Sequence, residues 1–119
     1  MPSARTASRR VLVRVSSDPR ADDRAAEGVR VAAGLRASGR LDLELALEGE
    51  GARCASAEAE GFVDGPELAR NLASFAAAGG VVWVEAAEAP PALTGAGVRV
   101  FSRGERPWGT RGIFAVLRF

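Results

Sequence analysis

Apolar positions along the chain fall into five short β-type runs separated by two stretches of helical spacing. Val11-Leu-Val-Arg-Val15 is β-branched and ends in Ser16-Ser17-Asp18-Pro19, a turn signal, which predicts a buried first strand. Asp22 or Asp23 then caps a helix running to about Ser38. At about 100° per residue, Ala25, Gly28, Val29, Ala32 and Leu35 share one arc, with Asp23, Glu27 and Arg30 opposite. The small residues of that arc suit close packing on a sheet, and Gly39 stands where a left-handed residue would end the helix. Leu41, Leu43, Leu45 and Leu47 alternate with Asp42, Glu44 and Ala46, which predicts a half-exposed strand near a sheet edge.

The second half repeats the alternation of helix and strand. Glu48 to Gly61 reads as a polar loop. Asp64-Gly-Pro-Glu67 reads as a helix start, with Asp as cap, Pro in the first turn and Glu reaching back. Leu68, Leu72 and Phe75 give that helix an apolar stripe, and Gly79-Gly80 ends it. Val81-Val-Trp-Val84 is apolar on both faces and predicts a central strand. Glu85–Gly97 and Ser102–Gly112 read as loops around a fourth strand, Val98–Phe101, and Ile113–Phe119 closes as a fifth. Such alternation predicts a three-layer α/β/α domain, flavodoxin-like, with a mainly parallel sheet of about five strands. Residues 1–9 read as a flexible tail and 10–119 as the single domain. Sheets of this kind bind ligands beyond the carboxyl ends of their strands, which selects the loops Ser16–Asp22, Glu48–Gly61 and Glu85–Gly97.

Composition narrows the chemistry mostly by absence. The 119 residues include no His, Lys or Tyr and one Cys. That excludes a Ser-His-Asp or Cys-His arrangement, a Schiff-base lysine and the lysine of a phosphate-binding P-loop. It also removes the usual nitrogen ligands for transition metals, and no clustered acidic loop of the calcium type is present. The sequence therefore calls for no metal and no cofactor. A net charge of +1 gives no general attraction to nucleic acid or to anionic membrane, so neither is an expected partner. No apolar run approaches a membrane span. A lone cysteine favours a reducing, cytoplasmic compartment.

The first 53 residues resemble the DsrE-like family of small sulfur-relay proteins. The resemblance rests on Val11–Pro19, Asp23–Glu27 to Ala32–Leu35, Leu41–Leu47 and Glu48-Gly-Glu-Gly51, extended by Gly79-Gly80 before Val81–Val84 and by Gly97–Val100. It implies a parallel α/β sheet, assembly into trimers or hexamers, a sulfur-relay partner protein and, in active members, a persulfide-carrying cysteine just after the third strand. Here that stretch is Val84-Glu-Ala-Ala-Glu-Ala-Pro-Pro91, which has no Cys, and its two prolines disfavour a helix. The expected function is accordingly that of a non-catalytic or degenerate member, an oligomeric scaffold or a binder of a small ligand. The alternative is a sulfurtransferase or persulfide carrier using Cys54.

Cys54 is the one soft nucleophile; Arg53 beside it favours a thiolate, whereas Glu48, Glu50, Glu58 and Glu60 oppose one. Ser16, Ser17 and Arg20 precede a helix amino terminus and compose a candidate anion site, although a turn and cap account for them equally. Glu85 and Glu88 follow a central strand, where paired carboxylates can bind or do acid–base work. Arg103, Arg106 and Arg111 flank Trp108, which reads either as a nucleotide-stacking loop or as a seal against a neighbouring subunit. Trp83, Trp108 and Phe119 are expected at a homo-oligomer interface, because the last strand is apolar on both faces.

Overall fold

The computed structural model describes residues 9–56 and 59–119; apart from Arg9, the expected N-terminal tail lies outside these residues, as does Glu58. The chain runs β1 (Arg9–Val15), α1 (Arg24–Ala37), β2 (Leu41–Leu47), two 3-10 segments (Gly49–Ala55 and Ala59–Gly61), α2 (Gly65–Ala77), β3 (Val81–Glu85), β4 (Val98–Phe101) and β5 (Ile113–Arg118). All five strands pair in parallel, in the order β4-β3-β2-β1-β5. The α/β class and the five-stranded parallel sheet are thus as the alternation of patterns predicts. Arg9, assigned from sequence to the tail, opens β1.

Both α-helices cover one face of the sheet. Val11, Val13 and Val15 stand level with Leu43, Leu45 and Leu47, and Leu45 and Leu47 with Val82 and Val84. These side chains pack against Ala25, Val29 and Ala32 of α1 and Leu68, Leu72 and Phe75 of α2 in one core. Every residue on the small arc of α1 is buried except Leu35, which is half-buried. Gly28 is needed there, since a methyl group at that position would lie 2.9 Å from Phe119 and from Val15. Gly39 has φ 72°, the left-handed conformation its position predicts. Asp64 also adopts a left-handed conformation, φ 56°, but its side chain makes no cap hydrogen bond, so the sequence-predicted capping arrangement at α2 is not formed.

The opposite face is covered by a loop. Residues 102–112 connect β4 at one edge of the sheet to β5 at the other. Within that loop Trp108, 7% exposed, packs on Leu12, Ala46 and Phe101 in a second, smaller core flanked by Trp83 and Ile113. Its ring meets Phe101 edge-on at 5.3 Å and Trp83 at 6.5 Å between centroids.

β2, read from its alternation as a half-exposed strand near an edge, is the middle strand of the sheet. Its polar position Glu44 is buried, because Arg10 of β1 and Trp83 of β3 both bond to it. Alternation reported polarity, and at Glu44, unlike the exposed Asp42, polarity is satisfied within the protein rather than by water.

Candidate functional site

β1, β2, β3 and β4 all end at the same side of the sheet, and the segments leaving them enclose an open crevice of about 490 Å³. Ser16 follows β1, Glu48, Gly49 and Glu50 follow β2, Glu85 ends β3, and Arg103 follows β4. The crevice wall is backbone-tight. The Glu48 N–H donates to the Val15 carbonyl at 3.0 Å, and the Ser16 N–H donates to the Phe119 carbonyl at 2.9 Å. The Gly49 N–H reaches a Glu85 carboxylate oxygen at 3.3 Å, tying the β2 and β3 ends together. Gly51 then lets the 3-10 segment lie across the end of β1, for a methyl group there would stand 2.0 Å from the Val15 carbonyl oxygen.

Charge is arranged across this end and down the open face. Arg14 grips Glu48 through two hydrogen bonds of 2.6 and 2.7 Å, with its guanidinium 5.4 Å from the centre of the Trp108 ring. Four residues earlier on the same strand, Arg10 grips Glu44 at 2.5 and 3.1 Å and also donates to the carbonyls of Trp108 and Arg111. Burial alone would push the Glu44 carboxyl up, but hydrogen bonds from Arg10 and from the Trp83 indole hold it below the usual glutamate range. Hydrogen bonding to these carboxylates raises both arginines above their ordinary value. Arg103, by contrast, makes no hydrogen bond or ion pair among the described residues and lines the crevice together with Glu85 and Glu48.

Of the residues singled out from sequence as candidate ligand contacts, Ser16, Glu85 and Arg103 line the crevice. Ser17 accepts a hydrogen bond from Arg24 at 3.2 Å, and Arg20 closes on Asp18 at 2.9 and 3.1 Å. The Arg20 side chain, then its backbone N–H, hold the Asp18 carboxyl down at about 2. Ser17 and Arg20 therefore serve the turn before α1, and the three-residue anion site is not assembled. Glu88 is exposed in the loop after β3 and outside the crevice.

Cys54 lies in the first 3-10 segment, 4% exposed, beside Leu72 and Leu93. Burial pushes its thiol up to about 12, and the Asp18 charge adds to the rise. Trp83 and Trp108 spend their aromatic surface on each other, on Glu44 and on Phe101, and Phe119 is half-buried against α1. Since Trp108 is buried, the arginine-rich loop has no free ring on which a base could stack.

Sequence reasoning missed the Arg10–Glu44 and Arg14–Glu48 pairs and the arrival of Arg103 at the crevice. The pairs carried a signal: the arginines lie four apart on β1, the glutamates four apart within and just after β2, and each pair is separated by 34 positions. Among the described residues no group of acidic or thiol side chains is arranged to hold a metal ion, and no helix is long and apolar enough to cross a membrane. No family model matches the chain, and no curated protein or solved structure does either.

Proposed function

We propose that this chain is a non-catalytic, DsrE-like, cytoplasmic domain that binds a small zwitterionic ligand in the crevice beyond the carboxyl ends of β1–β4. The carrying observation is that the uncommitted guanidinium of Arg103 and the carboxylate of Glu85 line one crevice, whose neighbouring Glu48 is already held by Arg14. A ligand with both an ammonium and a carboxylate would meet a partner on each side, with the Ser16 hydroxyl available to either. The crevice size falls in the range of small-molecule sites, of order 300–1,000 Å³. The burial of Cys54 supports the non-catalytic reading, because the thiolate and not the thiol accepts or donates sulfur. The persulfide-carrier alternative, with a sulfur-relay partner, requires that segment to open. The oligomeric-scaffold reading is supported by the apolar last strand at a sheet edge.

The test is an amide NMR titration with a panel of free amino acids, with spermidine and inorganic phosphate as the singly signed controls. The reading expects saturable shifts at Ser16, Gly49, Glu85 and Arg103 for an amino acid, abolished by Arg103→Ala and by Glu85→Gln. Equal response to a singly signed control, or no clustering of shifts at these amides, would refute it.

A further inference from the structure

We propose that β5 is a homodimer interface, through which two copies pair antiparallel about a two-fold axis at Val116. The inference deepens the oligomeric part of the proposed function and is independent of the crevice. β5 lies at the edge of the sheet and bonds to β1 alone. The Phe119 N–H donates to the Arg14 carbonyl and the Phe119 carbonyl accepts from the Ser16 N–H, so this residue directs both backbone groups at β1. Strand alternation directs Leu117 and Ala115 the same way and turns the groups of Val116 and Arg118 outward. Phe114 falls at the register shift between β5 and β1 and has no partner residue on β1.

The residues with free backbone groups are also those with exposed side chains. Phe114 is 61% exposed and Val116 38%, and Arg118 is exposed too, whereas Ile113, Ala115 and Leu117 are half-buried. A row of unpaired N–H and C=O groups beneath apolar side chains is a template for another strand. The other edge strand, β4, is shorter, at four residues against six.

What identifies the occupant as a second copy is the order of side chains along β5. Pairing centred on Val116 sets Phe114 of each copy, whose ring centre lies 4.5 Å from the Arg9 guanidinium of its own chain, opposite Arg118 of the other, so an aromatic position stands across from a second guanidinium twice, once in each direction. Arg118 is the only charged residue of β5 and makes no hydrogen bond or ion pair among the described residues. Centring the pair on Arg118 instead would put two guanidiniums face to face, which selects the Val116 register. One six-residue strand buries less than the ~1,200 Å² of a standard interface, so the dimer forms with rising concentration.

Sedimentation velocity on the full chain over a dilution series tests this. The mass should move from 12.4 kDa toward twice that value as concentration rises. Val116→Pro removes an outward N–H, leaves the bonds to β1 intact and should hold the protein at the monomer mass with an unchanged circular dichroism spectrum. Phe114→Arg should weaken association at least about tenfold, whereas Phe114→Glu, placed opposite Arg118, should retain or tighten it. Val116→Cys should form a disulfide-linked dimer under mild oxidation, since paired residues there stand at about 5.5 Å. A wild-type monomer at every concentration would overturn the proposal. So would equal weakening by Phe114→Glu and Phe114→Arg, or a dimer that Val116→Cys does not cross-link. Neither Arg103→Ala nor Glu85→Gln should alter the mass, so failure of the crevice reading and failure of this one are separable.

Discussion

The two faces of the sheet are stabilised in different ways. On the helix side, Val13, Val15, Leu45, Leu47 and Val82 are 0% exposed and belong to one apolar cluster, so shape and transfer from water hold α1 and α2 in place. On the other side, a small core under one tryptophan is ringed by Arg10–Glu44 and Arg14–Glu48. A face without helices must satisfy its backbone and side-chain polar groups by specific pairs, and the loop that covers it is fixed by one aromatic anchor and by Arg10 bonding to its carbonyls. The difference teaches that the helix face should respond to lost volume and the open face to lost partners.

Leu45→Ala should have the largest effect, about 4 kcal/mol, because the side chain is fully buried between both helices. Urea denaturation gives the value, and exchange protection should fall throughout α1 and α2. Trp108→Ala should cost about 3 kcal/mol and speed amide exchange across residues 102–112 while leaving helix protection intact. If the helices loosened equally, the two faces would be one cooperative core and the comparison would fail.

Glu44→Gln should cost about 2 kcal/mol at neutral pH, as two charged hydrogen bonds to Arg10 are weakened. Its pH dependence sharpens the point. The folded Glu44 carboxyl lies below its ordinary 4.5, so its contribution is complete above that value and is lost as pH falls through the folded value. The gap between wild type and Glu44→Gln should therefore narrow on acidification, whereas the Leu45→Ala gap should stay constant over the same range.

The same contrast explains what could be read from sequence. Strand and helix positions followed from periodicity, because Val11–Val15, Leu41–Leu47 and Leu68–Phe75 each obey one period clearly. The placement of β2 did not, since Glu44 looks like a solvent-facing residue until Arg10 and Trp83, 34 and 39 positions away, are brought to it. Ser16 and Glu85 were legible as candidates because parallel strands of an α/β sheet end together. Arg103 was legible as a candidate beside Trp108 but not as a crevice residue, because its position depends on the path of a loop whose anchor, Trp108, resembles an interface residue in sequence and is a core residue in the fold.

The account places the accessible chemistry in the crevice and none at the buried Cys54. Intact-mass spectrometry of the folded protein at neutral pH, after exposure to a small persulfide donor and beside a urea-unfolded sample, tests this directly. The account predicts no added sulfur in the folded sample and a reducible gain of one sulfur at Cys54 once the chain is unfolded. A fast, reducible gain at Cys54 in the folded protein would contradict it and make the thiol, rather than the crevice, the functional centre.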